Sequence, residues 1–299
     1  RTRRTSASWR CGEGGAVEGG VAGQDVVGGE VFAAQAAAAP GGHGFGQRGE
    51  QLADLAWRLA DDDVELKAVA QREGADQVLQ RGARESKIDQ DAASITRGAD
   101  NLAASLRALP DAGDLDTLRG IEGEAARQYF ACLGLLVRAD ARDAFPMAGR
   151  TRRPPRDRTN ALLSFFYAMW MNDCRSALEA VGLDPQIGFL HAVRPGRAAL
   201  ALDLMEEFRP FADRLALTLI NREQVKRDDF EEREGGAVAL KPDARRSVVV
   251  AYQERKQEEL THPLLAQPLA LGLIPLVQAR LLARHIRGET EGYLPFIAR

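Results

Sequence analysis

The sequence predicts a mainly α protein, with an all-α C-terminal domain over residues 85–299 and an irregular, Gly- and Ala-rich region over residues 1–84. Two observations carry this. From about residue 50 onward, apolar side chains recur at helical spacing in stretches that end at proline or glycine. Before that, residues 1–49 hold 13 of the 29 glycines and show neither helical nor strand periodicity. Such a segment buries too little apolar surface to offset the entropy of ordering its backbone. Its runs "QDVV" and "EVFAA" would make short strands at most.

The helical stretches follow in order. "EQLADLAWRLADDDVELKAVAQ" places Leu52, Leu55, Leu59 and Leu66 on one face. "DNLAASLRAL" stops at Pro110. "GDLDTLRGIEGEAARQYFACLGLLV" offers Asp114 or Asp116 as a cap and a stripe of Leu118, Ile121, Ala125, Tyr129 and Cys132. "NALLSFFYAMWMNDCRSALEAVG" is apolar nearly all round in its first half, the mark of a central buried helix, and Gly182 ends it. "ALALDLMEEFRPFADRLALTLIN" is bent or broken at Pro210, and "DDFEEREGGAVAL" is a short hairpin or loop. "DARRSVVVAYQERKQEEL" and "GLIPLVQARLLARHIRG" complete the domain as amphipathic helices.

Composition excludes several classes. A net charge of −3 in 299 residues rules out a wholesale cationic coat, so any nucleic-acid surface must be local. Cys11, Cys132 and Cys174 show no paired spacing, which argues against a disulfide framework or a Cys-rich zinc site and fits a reducing, cytoplasmic setting. There is no apolar run of about 18 residues, so no membrane span is expected.

Four residues are candidates for chemistry. Asp203 and Glu206 lie three apart and share a helical face, while Glu207 turns away. They interrupt "LALDLMEEF", where the neighbours want burial, so they must be paired, hydrogen-bonded or bound to a cation. His191 follows the apolar run "IGFL". A histidine with carboxylates suits Mg²⁺ or Mn²⁺ better than structural zinc. Glu122 sits beside the apolar stripe next to Gly123, whose place in a helix interior suggests close packing there. Each has a bland alternative: a satisfied core histidine, solvated helical carboxylates, and a surface glutamate beside a packing glycine. The loop "GRTRRPPRDRT" carries Arg150, Arg152, Arg153, Arg156 and Arg158, suited to a phosphate backbone or to simple solvation. His262 and His285 read as helix-end residues, and Cys132 and Cys174 as small core residues.

"GIEGEAARQYF", "RRPPRDRTNALLSFFYAMWMNDCRSALEAVGLDPQIGFLH", "RPGRAALALDLMEEFRP", "DRLALTLIN" and "VAYQERKQEELTHP" together resemble the CRISPR-associated adaptation nuclease-integrases, the Cas-one family, in wording closest to the type I-C form. The resemblance covers residues 85–299. It implies an all-α catalytic domain whose divalent metal, Mg²⁺ or Mn²⁺, is held by Glu122, His191 and Glu206, with Asp203 a ligand or a support. It implies double-stranded DNA as substrate, a homodimer, and a small Cas-two partner completing a heterohexamer that inserts short foreign fragments into a CRISPR array. The arginines of the 150–158 loop, with Arg197, Arg209, Arg255 and Lys256, would then hold DNA backbones.

The family also has an N-terminal β-rich domain. Residues 1–84 lack its alternation and have the composition of a GC-rich gene read in a shifted frame or from a wrong start. Three expectations follow: an active metal-dependent nuclease-integrase, a remnant that only binds DNA or a partner, or a helical scaffold. The intact acidic and histidine set favours the first over the third.

Overall fold

The computed structural model describes residues 73–109, 115–191 and 194–297. The expectations for residues 1–72, for the side-chain cap at Asp114 or Asp116, and for Cys11 lie outside the described residues.

Among the described residues, helix α1 runs through 73–85, α2 through Asp89–Arg107, α3 through Leu115–Leu133 and α4 through Arg158–Ala180. There follow α5 (Ala199–Met205), α6 (Arg209–Asn221), α7 (Pro242–Gln257) and α8 (Ile274–Ile286). Two antiparallel hairpins interrupt the helices: β1 (Phe230–Arg233) with β2 (Ala237–Leu240), and β3 (Glu259–Thr261) with β4 (Pro268–Ala270). The helical body takes in residues 73–84, which the sequence division grouped with the N-terminal region. Ala75, Val78 and Leu79 of α1 are buried in the main core.

Helix α4 is the centre, as its all-round apolarity predicts. Asp157 caps it by accepting from the Asn160 backbone N–H at 2.7 Å, and it ends where Gly182 takes a left-handed φ of 81°. Helices α5, α6 and α8 pack around it. Trp170 stacks on Phe208 at 5.1 Å and meets Tyr252 edge-on at 5.4 Å. Phe208 and Phe211 in turn stack on Phe296, so one aromatic cluster ties α4, α6 and α7 to the C-terminal segment.

The break between α5 and α6 matters most for the site. It lies before Pro210, as a single 3₁₀ turn over Glu206–Phe208, and Pro210 sits in the first turn of α6. There its missing N–H costs nothing, while its ring disfavours a continuous α-helix through the preceding residues. The first hairpin falls where a hairpin or loop was expected. The second was not foreseen: helix α7 stops at Gln257 because Glu259–Thr261 pair with Pro268–Ala270.

Trp170→Ala removes the largest fully buried side chain of this cluster. It should lower unfolding free energy by about 3–5 kcal/mol, read from urea denaturation followed by circular dichroism.

Candidate functional site

The site is built on the buried carboxylate of Asp203. Its Oδ2 accepts the backbone N–H of Phe189 at 2.8 Å and of Leu190 at 3.3 Å. Its Oδ1 accepts the His191 backbone N–H at 3.0 Å and meets His191 Nδ1 at 2.6 Å. Four donors thus fill the acceptor positions of one carboxylate that has no solvent exposure. An ionised carboxylate only accepts, so Nδ1 carries the proton and, in the neutral imidazole, Nε2 keeps its lone pair. That nitrogen faces Glu206, at 3.9 Å from Oε1. Burial pushes the His191 pKa down, but the hydrogen bond and charge of Asp203, with Glu206 behind them, outweigh it and leave it raised.

Gly188 makes this turn possible. A Cβ there would stand 2.6 Å from Asp203 Oδ2 and 2.7 Å from the Ala199 carbonyl carbon, so only glycine lets the chain pass this close. Gly123, in contrast, is exposed, and a Cβ there would meet nothing within 4 Å. The close packing expected beside Glu122 is therefore corrected: Gly123 faces outward, and the tight approach falls at Gly188.

Glu206 is fully buried and pairs with Arg209, at 2.7 Å from Oε1 to Nη2 and 2.6 Å from Oε2 to Nε. The second contact lacks hydrogen-bond alignment, which leaves Oε2 without a hydrogen-bond partner. Glu207 does turn away, but not to solvent. It is buried and accepts from Tyr293 OH, from Gln278 Nε2 at 2.7 Å and from the Phe296 N–H at 2.8 Å. His262 joins this network through Gln278 at 3.0 Å, and both it and His285 are buried.

Glu122 approaches from α3. One turn earlier, Arg119 donates to the Leu190 carbonyl at 3.3–3.4 Å, so the face carrying Arg119 and Glu122 fronts the turn that presents His191. Glu122 also lines a cavity of about 30 Å³ with Tyr129, Tyr167, Arg209 and Asp213. No group of three or more His, Cys, Asp or Glu side chains stands close enough to hold a metal ion among the described residues. Pairwise, His191 meets Asp203 at 2.6 Å and Glu206 at 3.9 Å, with Glu122 on the facing helix. The donor chemistry fits a hard divalent cation: one imidazole nitrogen with its tautomer fixed by a carboxylate, and one buried carboxylate oxygen without a hydrogen bond.

The cationic residues divide into two groups. Arg150 turns inward, to Asn160 Oδ1 at 2.8 Å, Ser164 Oγ at 3.0 Å and the face of Tyr167. Arg209 is committed to Glu206 and Tyr167, Arg156 to the Gly235 carbonyl and Arg158 to the Ala144 carbonyl. Arg255 pairs with Glu258 and Lys256 with Asp173. Arg152 and Arg153 stay exposed and lie close enough to Arg194 and Arg197 that all three depress the Arg197 pKa, after burial itself. Asp203 opposes that shift, so the four arginines of this rim share the electrostatic surroundings of the carboxylate that holds His191. Arg194 was missed in sequence. The "RPGR" spacing, a turn between two arginines, was the available signal.

Asp213 lies beneath Arg209 and accepts from Tyr129 OH at 2.8 Å and Tyr167 OH at 2.5 Å. Burial, against these hydrogen bonds and the two arginines, raises its pKa to about 6.

A family model described as CRISPR associated protein Cas1 matches residues 55–254. The chain belongs to the Cas1 family. It is 57% identical over 224 residues to the CRISPR-associated endonuclease Cas1 1 of Moorella thermoacetica, covering 75% of this chain and 65% of that protein. It therefore spans about two-thirds of the length of this curated relative. Its fold is similar to that of a Cas1 protein from Thermotoga maritima, with TM-score 0.62 and 27% identity over 75% of this chain and 66% of the other. A chain of a partial Cas6-RT-Cas1–Cas2 complex gives TM-score 0.62 and 26% identity over 80% and 70%. No described helix is long and apolar enough to cross a membrane.

Gly188→Ala should push Asp203 off the turn and lower stability by about 1–3 kcal/mol in urea denaturation. Asp213 gives a pH signature. Its folded pKa of about 6 lies above the usual carboxylate value, so its stability contribution is full below pH ~4 and lost as pH rises through about 6. The difference in unfolding free energy between wild type and Asp213→Asn should therefore move against wild type by roughly 2–3 kcal/mol between pH 4 and 8.

Proposed function

We propose that this Cas1-family chain is a divalent-metal-dependent DNA endonuclease-integrase that joins short foreign DNA fragments into a CRISPR array. The observation that carries the reading is His191 with Nδ1 locked by Asp203 and Nε2 turned to the buried Glu206. His191 Nε2, Glu206 and Glu122 would hold the Mg²⁺ or Mn²⁺. Asp203, with its acceptor positions filled, orients His191 rather than binding the ion. When bound, the metal lowers the proton affinity of an attacking hydroxyl and neutralises charge on phosphoryl oxygens.

The protein's own groups do the rest. Arg152, Arg153, Arg194 and Arg197 present guanidinium groups beside the His191 turn, where they hold a phosphate backbone against the acidic site. These contacts carry no base information, so binding follows shape and charge. Leu190, in the turn that presents His191, packs with Leu109 and Leu118 in a small apolar cluster. The same reading includes a homodimer and a Cas2 partner, supported by the likeness to a chain of a Cas1–Cas2 assembly, and a reducing cytoplasm in which Cys174 stays a buried thiol. A second reading, a member that binds DNA without joining it, is supported by the Gly- and Ala-rich sequence of residues 1–84, which lacks the alternation of a β-rich domain.

The test is Mn²⁺-dependent joining of a short duplex to a repeat-bearing plasmid, with and without a Cas2 protein. Wild type should join, and Glu122→Ala, His191→Ala and Glu206→Ala should not. Equal joining by wild type and variants rejects the site, while binding without joining by wild type supports the second reading. On the rim, Arg194→Ala and Arg197→Ala should each reduce the slope of log affinity against log salt by about 0.9, measured by fluorescence anisotropy with duplex DNA.

A further inference from the structure

Arg209 is hard to explain as a fold-stabilising residue. It is the first residue of α6, where the positive end of the helix opposes a cation, and its side chain is mostly buried, with 15% exposed. Its guanidinium lies on the ring of Tyr167 at 4.8 Å and close to both Glu206 oxygens. It also lines the cavity that Glu122 faces, so it joins the two halves of the proposed metal site. Asp213, beneath it, has one tyrosine hydroxyl on each oxygen, and the close ion partner of Arg209 is Glu206. A buried pair of this kind, held by a single helical turn, is a poor source of stability compared with apolar packing.

We propose that Arg209 is a resident counter-cation of Glu206 that competes with the divalent metal for this carboxylate and so sets the metal affinity of the site. This rests on the reading of Glu206 and His191 as metal ligands. The guanidinium sits on both oxygens of the Glu206 carboxylate and holds it in place, and it repels a second cation placed on the same oxygens. The site is thereby tuned toward weak, reversible metal binding, with Tyr167 as the apolar face on which the displaced guanidinium remains stacked.

The experiment titrates the full chain with MnCl₂ by calorimetry and records its melting temperature with and without Mn²⁺. The proteins are wild type, Arg209→Met, Arg209→Lys and His191→Ala. Arg209→Met removes the guanidinium and leaves the buried Glu206 without its ion partner, so it should melt below wild type without Mn²⁺ and recover with it. Its Mn²⁺ dissociation constant should tighten by about tenfold. Arg209→Lys keeps the charge and should bind Mn²⁺ like wild type, which preserves the test if the methionine variant fails to fold. A tenfold tightening in the lysine variant overturns the proposal. So does an unchanged or weaker affinity in Arg209→Met while His191→Ala weakens binding, because Arg209 is then a structural residue only. If Mn²⁺ binds His191→Ala as it binds wild type, the ligand reading itself fails, and this inference with it.

Discussion

Everything at the site depends on one buried carboxylate. Asp203 has no contact with solvent, yet it is satisfied by three consecutive backbone N–H groups and one imidazole N–H. An unpaired charge at that depth would be strongly destabilising, so the chain from 188 to 191 must wrap it. Gly188 is the residue that permits the wrap, and His191 is the side chain it delivers. The tautomer of His191 and the direction of its Nε2 both follow from this one set of hydrogen bonds.

The neighbouring residues show how one short segment serves two purposes. The 3₁₀ turn over Glu206–Phe208 lets two adjacent glutamates face different interiors. Glu206 looks toward His191 and Arg209, whereas Glu207 anchors the C-terminal segment through Tyr293, Gln278 and Phe296. Phe208 locks the turn against Trp170. The geometry of the site is thus pinned from below by aromatic packing and from the side by a polar network, which suits a site that must hold fixed distances.

Much of this was legible in sequence, and the limits are physical. The i, i+3 spacing of Asp203 and Glu206 within an apolar helix was enough to require partners for both, and the buried character of α4 followed from its all-round apolarity. The partners of Glu207 lie 71–89 residues away along the chain, so local pattern saw only that it left the shared face. Nothing local separates Arg150, which packs inward on Tyr167, from Arg152 and Arg153, which stay outside. That choice is made by Asn160 and Ser164 on the following helix. Glycine signalled a close approach, but the sequence could not say which one, and Gly188 rather than Gly123 was the answer. The second hairpin escaped because its strands are three residues long, too short for alternation to register.

The most direct measurement of the central claim is the tautomer of His191 by ¹⁵N NMR of the imidazole, at a pH above its raised pKa. The Asp203 hydrogen bond requires Nδ1 to carry the proton and Nε2 to be unprotonated in wild type, with that preference lost in Asp203→Asn. A wild-type His191 protonated at Nε2, or a tautomer indifferent to the substitution, would contradict the account.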